Sequence, residues 1–251
     1  FFIKNGYCII NLFSNKLIEK LNNKIAGRLN LFREDLNINF IGKNLKDYHR
    51  LKLTDNEHKQ FIKGSTRYIL LDAKVKKKIT SNDKILDILN NNWGHSNISI
   101  KWVGSLKKNP MRKDVTGFRI ARPQLNNLND VGGVHYDLPY GRQKIPNKDH
   151  KALMTIWCPL IGFSEKCTLK VSPKSHIVKH PISTISEQKK YLSPVFKKNY
   201  VKKFKFIRPR LKKGQAIIFH PNLLHGGSHN KGKKTRVSID LRIFNKKRIK
   251  I

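Results

Sequence analysis

The sequence predicts a mainly β fold with added helices (α+β), in which N-terminal helices pack on a jelly-roll core. The first 96 residues carry apolar residues at helical spacing behind capping residues. From about residue 97 short strands alternate with Gly and Pro turns, a pattern typical of sandwiches and barrels. No internal repeat or linker divides the 251 residues. We therefore expect one domain over 1–251, with a helical part at 1–96 and the jelly-roll core at 97–251.

The N-terminal part begins with a short predicted strand, "GYCIINLF", and continues with predicted helices. Ser14 is the expected N-cap of the first helix. Thr54 and Glu57 form a capping box at the start of a second. Thr80 or Ser81 is expected to cap a third, "TSNDKILDILNNN", whose Ile and Leu residues form an apolar face.

The C-terminal part consists of predicted strands, each bounded by turn residues. In chain order they are "ISIKWVG", "TGFRIARPQ", "GGVHYDL", "ALMTIWCPL", "TLKVSPKSH", "FKFIRPRL", "QAIIFHP" and "TRVSIDLRIF". Strands of this length and spacing pair into a sandwich or barrel, with side chains alternating between its two faces.

The chain is strongly basic, with 53 Lys and Arg against 16 Asp and Glu and a formal net charge of +37. Such an excess attracts anions, whether nucleic acid, a phosphorylated or nucleotide-linked small molecule, or a membrane surface. The basic residues are spread along a chain that is rich in Lys, Asn and Ile throughout. We therefore interpret the charge as composition bias and expect no nucleic-acid partner.

The apolar runs and the cysteines indicate the cellular compartment of the protein. No run approaches the ~20 apolar residues of a membrane span, and "FFIKNGYCIINLF" lacks the cleavage site of a signal peptide. Cys8, Cys158 and Cys167 are odd in number and form no C-x-x-C. This pattern argues against a disulfide framework or a Cys-rich zinc site, and the cytoplasm is the expected compartment.

Two stretches supply candidate metal ligands. In "GGVHYDLPYG", His135 and Asp137 lie two residues apart and therefore face the same side of a strand. Downstream, "FHPNLLHGGSHN" offers His220, His225 and His229. We favour His225, because the glycines that follow it permit close backbone approach. Two histidines and one carboxylate form the facial triad of non-haem Fe(II) oxygenases, which leaves three metal positions open.

A cosubstrate site is predicted by "RVS". An oxygenase that uses 2-oxoglutarate must bind its far carboxylate, which suits an arginine fork and a hydroxyl donor. Arg236 follows His225 by eleven residues, and Ser238 shares its face of the strand, while the apolar residues between and after them face the other way. The alternative is that Arg236 only pairs with Asp240.

Other residues near these motifs have two possible roles. Gln124 either donates to the iron-side carboxylate of the cosubstrate or begins a turn. Trp157 lines the pocket or packs in the core, and Tyr136 is expected in the core. Arg242 shares the face of Arg236, and we favour a structural ion pair over substrate contact. His176 is expected to stabilise its "SPKSH" turn.

These motifs resemble the phytanoyl-CoA dioxygenase (PhyH) branch of the Fe(II)/2-oxoglutarate oxygenases over nearly the whole chain. "HYD" matches the family's H-x-D, and "SPKSH" resembles its P-G-S-H turn, with Lys174 in place of the glycine. "KKGQAIIFHPNLLHGGSHN" matches the strand and loop of its distal histidine, and "TRVSIDLR" matches its cosubstrate strand. The resemblance implies a double-stranded β-helix core.

The resemblance also implies the activity. We expect an Fe(II)- and 2-oxoglutarate-dependent dioxygenase that uses O2 to hydroxylate an unactivated C–H bond of a small metabolite, such as a carbohydrate, nucleotide-linked sugar or acyl thioester. Because Asp137 fills the carboxylate position that related halogenases lack, no halogenation is expected. Arg142 and Lys144, directly after the metal strand, favour an anionic substrate.

Two alternatives remain. An AlkB-like nucleic-acid demethylase is suggested by the basic chain and by the six-residue spacing of Arg236 and Arg242, although the N-terminal helices and the wide gap between Asp137 and His225 fit PhyH better. The second is a non-catalytic jelly-roll binding module that has lost its metal. The intact triad and the intact "RVS" argue against it.

Overall fold

A computed structural model describes residues 1–30, 45–61, 68–94, 97–102, 112–123, 130–131, 133–137, 153–181, 196, 198–226 and 229–245. The α-helices among them are α1 (Phe2–Asn5), α2 (Asn15–Asn30), α3 (Asp55–Phe61), α4 (Ala73–Thr80), α5 (Asp83–Trp93) and α6 (Lys198–Val201). The strands are β1 (Tyr7–Asn11), β2 (Tyr68–Leu70), β3 (Ile98–Trp102), β4 (Arg112–Lys113), β5 (Val115–Ala121), β6 (Val134–His135), β7 (Leu153–Ile161), β8 (Gln215–Phe219), β9 (His225–Gly226) and β10 (Arg236–Asn245). None of these helices is long and apolar enough to cross a membrane.

The strands form one large antiparallel sheet and one small one. The large sheet has the order β1–β8–β7–β10–β3–β4, and β5 also pairs with β10 and carries β2 on its other edge. β10 lies at its centre, with β7 along one edge and with β5 and β3 on successive parts of the other. The small sheet is β6–β9. The described strands do not close into a barrel, and the mainly β, jelly-roll fold predicted from the sequence is confirmed.

The two faces of β10 have different chemistry, as its alternating sequence predicts. Four of its apolar residues belong to the main hydrophobic core, together with apolar residues of α2, α4 and α5. Its polar residues point to the opposite face, where the small sheet lies. All ten residues of β10 are buried. The members of the apolar face are Val237, Ile239, Leu241 and Ile243, and those of the polar face are Arg236, Ser238, Asp240 and Arg242.

The structure confirms the predicted strand "GYCIINLF" and two of the predicted helix starts. β1 pairs with β8 at the edge of the large sheet. Ser14 precedes α2 and accepts from the backbone N–H of Leu17 at 3.4 Å. Before α3, the backbone N–H of Thr54 donates to the Glu57 carboxylate at 2.7 Å, as in a capping box.

The prediction that Thr80 or Ser81 caps the third helix is wrong. Asn82 is the N-cap of α5, and its side chain accepts from the N–H of Ile85 at 3.1 Å. Thr80 is the last residue of α4, and the Ser81 hydroxyl donates to the carbonyl of Lys77 at 2.7 Å. Both hydroxyls are therefore used at the end of the preceding helix, which the sequence pattern alone did not separate from α5.

Two predicted strands, "TLKVSPKSH" and "FKFIRPRL", are also wrong as strands. They form only isolated bridges, in which Val171 pairs with Ile207 and with His225. Proline has no N–H to donate to a strand ladder. Pro173 and Pro209 follow each bridge by two residues and limit the pairing. The bridge to His225 nevertheless holds the small sheet against this part of the chain.

The "SPKSH" turn adopts the backbone conformation that the family glycine would supply. Lys174 has φ 65, in the left-handed region, and a 3₁₀ turn follows at Ser175–Ile177. The Ser175 hydroxyl accepts from the N–H of Leu224 at 2.9 Å, so the turn anchors the residue before His225. His176 binds the carbonyl of Ile3 at 2.9 Å, which is consistent with its expected structural role.

Candidate metal centre and cosubstrate pocket

The three predicted metal ligands converge on one point. The candidate ligand atoms of His135, Asp137 and His225 all lie within 4.8 Å of one another. Asp137 Oδ1 is 3.9 Å from His135 Nε2 and 3.7 Å from His225 Nε2. Small rotations of these side chains would bring the three atoms close enough to bind one cation together. Among the described residues, no other group of this kind holds three such side chains together.

The small sheet brings the two histidines together. His135 on β6 pairs in register with His225 on β9, and their ring centroids are 4.4 Å apart. Gly226, with φ +105, lies against the His135 ring, where a Cβ would come within 2.9 Å of Nδ1. The close backbone approach predicted for the glycines after His225 is thus seen at Gly226, where a larger residue would push the ring away.

Backbone carbonyls fix the orientation of both imidazoles. His135 Nδ1 lies 2.8 Å from the carbonyl oxygen of Gly133, and His225 Nδ1 lies 2.8 Å from that of Leu223. An Nδ1–H that donates to a carbonyl leaves the Nε2 lone pair for a metal. Burial, followed by the proximity of His225, lowers the pKa of His135 to about 4. His135 is therefore neutral at pH 7, as a metal ligand must be.

Asp137 is buried and ionised. Burial on its own would raise the pKa of this carboxyl group, but Arg242, the two histidines and Thr155 together hold it below its usual range. Thr155 on β7 donates to Oδ2 at 2.5 Å. Arg242 Nη2 on β10 lies 3.6 Å from Oδ1. The favoured reading of Arg242 as an ion-pair residue is confirmed, and its partner is the candidate metal ligand itself.

The donor set fits Fe(II). Two imidazoles and one carboxylate, all from one side, form the facial 2-His-1-carboxylate arrangement that leaves open positions on the metal. Each ligand has an outer partner that orients it: the carbonyls of Gly133 and Leu223 for the histidines, and the Thr155 hydroxyl for Asp137. Such outer partners are characteristic of protein metal sites.

Arg236 and Ser238 lie on the same inner face and fit a carboxylate. Arg236 is buried, donates through Nη1 to the Cys167 carbonyl at 2.7 Å and lies 5.6 Å from the centre of the Trp157 ring. Burial lowers the pKa of Arg236 to about 10, which keeps it cationic at pH 7. The Ser238 hydroxyl is fully buried and has no hydrogen-bond partner among the described residues. A cosubstrate carboxylate would satisfy it, because a buried unpaired hydroxyl is costly.

The alternative partner of Arg236, Asp240, is bonded to another arginine. Arg119 on β5 donates through Nε to Asp240 Oδ2 at 2.5 Å. Arg119 also contributes to the low pKa of His135, so it lies near the triad. The sequence reading missed this residue. The available signal was a charged side chain among the apolar residues of "FRIA".

The remaining candidates divide into three groups. Trp157 packs in the inner hydrophobic cluster and also contacts Arg236, while Tyr136 is buried among aromatic residues, as predicted. His220 and His229 are not part of the ligand cluster; the ring of His220 accepts from the backbone N–H two residues later. Gln124, Arg142 and Lys144 lie outside the described residues.

A buried ionic network that the sequence reading missed fixes the chain ahead of the metal strand. Asp130, four residues before β6, accepts from the backbone N–H of Arg122 at 2.7 Å and from its Nε at 2.9 Å. Arg122 also bonds Asp55 of α3 at 2.8 Å. The network therefore connects an N-terminal helix, the end of β5 and the segment that leads to His135.

Comparisons with known proteins give a consistent picture. A family model described as phytanoyl-CoA dioxygenase (PhyH) matches residues 2–238. No curated protein matches the chain. Solved structures with a similar fold include the non-haem α-ketoglutarate-dependent carbocyclase SnoK from nogalamycin biosynthesis (12% identity, TM-score 0.55, covering 98% of this chain and 82% of that one). EctD from S. alaskensis is also similar, both with 2-oxoglutarate and 5-hydroxyectoine (16%, 0.57, 98% and 74%) and with bound Fe (15%, 0.56, 98% and 75%).

Proposed function

The chain belongs to the phytanoyl-CoA dioxygenase (PhyH) family of Fe(II)- and 2-oxoglutarate-dependent oxygenases, and we propose on that premise that it hydroxylates an unactivated C–H bond of a small metabolite. The observation that carries this proposal is the convergence of three ligand atoms within 4.8 Å of one another on the inner face of the sheet. The proposal is supported by the buried Arg236 and by the Ser238 hydroxyl on the same face, which none of the described groups hydrogen-bonds.

Six residues carry the proposed roles. His135, Asp137 and His225 bind Fe(II). Arg236 binds the far carboxylate of 2-oxoglutarate with its planar fork, and Ser238 donates its buried hydroxyl to the same group. Gln124 remains a proposed contact to the iron-side carboxylate.

The proposed reaction is balanced by its cosubstrates. 2-Oxoglutarate, O2 and R–H give succinate, CO2 and R–OH, with one oxygen atom of O2 in succinate and the other in the alcohol. Iron supplies the redox chemistry when it is bound. The chain orients the ligands, positions the cosubstrate and keeps the site dry through the buried face of β10.

We propose that the substrate carries an anionic group. Among the described side chains of β5, of β10 and of the two residues after β6, three arginines (Arg119, Arg236 and Arg242) stand against two aspartates (Asp137 and Asp240). The charges of Fe(II) and of the 2-oxoglutarate dianion cancel, so the loaded site keeps the excess positive charge of one arginine. A carboxylate or phosphate on the substrate would therefore complement the loaded site. Sugars, nucleotide-linked sugars and acyl thioesters are the candidate classes.

The cytoplasm is the proposed location. Cys8, Cys158 and Cys167 are all buried free thiols. Free thiols persist most readily in a reducing compartment.

The test is succinate formation by Fe(II)-loaded protein with a panel of anionic and neutral metabolites, combined with ¹⁸O2 labelling of the product. We expect one labelled oxygen atom in the product of an anionic substrate. His225→Ala should abolish metal binding and turnover, whereas the matched His220→Ala variant should keep both. Loss of metal binding in His220→Ala with retention in His225→Ala would overturn the ligand assignment, and unlabelled product would overturn the hydroxylation.

A further inference from the structure

The two oxygens of the Asp137 carboxylate have different surroundings. Oδ1 faces the Nε2 atoms of His135 and His225, at 3.9 and 3.7 Å. Oδ2 points the other way and accepts the Thr155 hydroxyl at 2.5 Å, within the buried interior. A hydrogen bond to an ionised carboxylate is short and roughly twice as strong as one between neutral groups.

Thr155 is held rigidly in position. It is the third of the nine residues of β7, is buried, and pairs in register with Arg242 of β10. In "LMTIWCPLI", it is the one hydroxyl-bearing side chain of the strand. A Val would fill the same volume without the hydroxyl, so the position does not need Thr for packing. Arg242 lies 3.6 Å from Oδ1, beyond hydrogen-bond distance, and acts on Asp137 through its charge.

The number of oxygens that Asp137 gives to the metal determines how many positions stay open. Three protein atoms on one face leave three open positions, which a chelating cosubstrate and O2 require. A carboxylate that bound through both oxygens would take one of them. To bind in that way, the carboxylate would have to rotate and bring Oδ2 to the metal. A hydrogen bond that holds Oδ2 on the far side opposes this rotation.

We infer that Thr155 is a positioning residue for the oxygenase reaction, which keeps Asp137 bound to the metal through Oδ1 alone and so preserves the open positions for cosubstrate and O2. The inference rests on the proposed metal site. Its effect is specific, because removal of the hydroxyl should weaken cosubstrate binding to the loaded site more than it weakens metal binding.

The experiment compares Thr155→Val with Thr155→Ser, which restores the hydroxyl. The matched control is Thr116→Val on β5, a buried threonine that donates to the carbonyl of Asp240 at 2.8 Å. Infrared difference spectra of the Zn(II)-loaded protein with ¹³C-labelled aspartate report whether the carboxylate binds through one oxygen or two. Calorimetry measures the dissociation constants of Co(II) and of 2-oxoglutarate for the Co(II)-loaded protein.

Wild type, Thr155→Ser and Thr116→Val should show the wide separation of carboxylate stretches typical of one-oxygen binding. Thr155→Val should show a narrower separation and an increase of about tenfold or more in the 2-oxoglutarate dissociation constant, with a smaller change for Co(II). If Thr155→Val fails to fold, Thr155→Ala against Thr155→Ser makes the same comparison.

The failures are distinguishable. A wild-type protein that binds neither Zn(II) nor Co(II) overturns the proposed metal site. A wild type that binds both, alongside a Thr155→Val variant with an unchanged spectrum and unchanged cosubstrate affinity, overturns the inference about Thr155 and leaves the metal site standing.

Discussion

At the scale of single residues, Arg236 tests the cosubstrate site. Its Nη1 donates to the Cys167 carbonyl, and its planar fork suits a carboxylate that lysine, with a single ammonium, cannot meet in the same way. Arg236→Lys should raise the Michaelis constant for 2-oxoglutarate by about 10- to 100-fold, the cost of one charge-assisted hydrogen bond. Iron affinity should change little.

The matched control is Arg208→Lys, since Arg208 also donates to a backbone carbonyl, that of Lys166, at 2.7 Å but is only half-buried. Arg208→Lys should leave both the Michaelis constant for 2-oxoglutarate and the iron affinity unchanged. Equal weakening of iron and 2-oxoglutarate binding in Arg236→Lys would indicate a structural role instead.

Loss of the Ser238 hydroxyl should make the cosubstrate-free protein more stable and weaken its binding of 2-oxoglutarate. Its hydroxyl is buried without a hydrogen-bond partner in the part of the chain that the structure describes, and a buried unpaired hydroxyl costs roughly 1–3 kcal/mol. Ser238→Ala should therefore raise the Tm of the cosubstrate-free protein by about 2–4 °C per kcal/mol recovered. The same change should reduce the further rise in Tm that 2-oxoglutarate causes in Co(II)-loaded protein, because a donor to the cosubstrate is lost.

Ser172→Ala is the control of opposite sign. The Ser172 hydroxyl is buried and donates to the carbonyl of Lys205 at 3.0 Å, so its loss should lower the Tm and leave the 2-oxoglutarate effect intact. A Ser238→Ala variant that behaves like Ser172→Ala would show that Ser238 does not face the cosubstrate.

Which residues could be predicted from the sequence depends on the distance between them along the chain. Period-two alternation places Arg236 with Ser238 on one face of β10. The spacing of His135 and Asp137 correctly predicted that they meet, although β6 ends at His135 and Asp137 lies in the bend that follows. Thr155 and Asp137, or Arg119 and Asp240, meet across the sheet or between sheets. Their contact depends on strand register and on how the small sheet lies over the large one, neither of which one sequence encodes visibly.

At the scale of elements, the Lys174 turn yields a stability prediction. A residue with a Cβ pays about 1–2 kcal/mol in the left-handed region, and Lys174 has φ 65. Lys174→Gly should stabilise the protein by roughly 0.5–1 kcal/mol, since glycine relieves the strain but gains entropy in the unfolded chain. Urea unfolding measures the difference.

Lys174→Ala provides the control, because it removes the long side chain and keeps the Cβ. It should not stabilise the protein. If Gly and Ala variants are equally stable, the strain at this position is negligible and the turn needs no glycine.

The start of a helix could be predicted where the sequence offered a single cap. The prediction failed where several neighbouring residues could each form the cap. The capping box at Thr54 and Glu57 had a single interpretation and is present. Thr80, Ser81 and Asn82 form a run of cap-forming residues between two helices, and local hydrogen bonds assign the first two to the end of α4. Propensity alone does not rank neighbouring cap candidates.

At the scale of the whole molecule, the large sheet separates stability from chemistry. One face of β10 packs against α2, α4 and α5 in the main core, and the opposite face carries the charged and hydroxyl groups of the site. A strand anchored in this way can hold buried charges in place, because the apolar face supplies the folding energy. The alternation of β10 in the sequence already contained this division, whereas the missed network around Arg122 and Asp130 required the tertiary fold.

The final prediction concerns how salt affects the binding of polyanions, because the chain has a net charge of +37. Exposed lysines occur on α4, after α6, before β8 and before β10, so they are distributed over many elements. A chain of this charge will attract any polyanion at low ionic strength, and such binding by itself says nothing about substrate. We expect fluorescence anisotropy to show oligonucleotide binding that is weak and without sequence preference, and that is largely lost by about 150 mM salt.

A measurement of turnover distinguishes a substrate from a polyanion that binds only through its charge. Succinate release by the Fe(II)-loaded protein should be stimulated by a small anionic metabolite and should be the same with methylated and unmethylated oligonucleotides. An N-methylated strand and its unmethylated twin carry the same phosphates, so the pair removes the electrostatic term from the comparison. Tight binding that survives physiological salt, together with succinate release only from the methylated strand, would replace the small-molecule hydroxylase with a nucleic-acid demethylase.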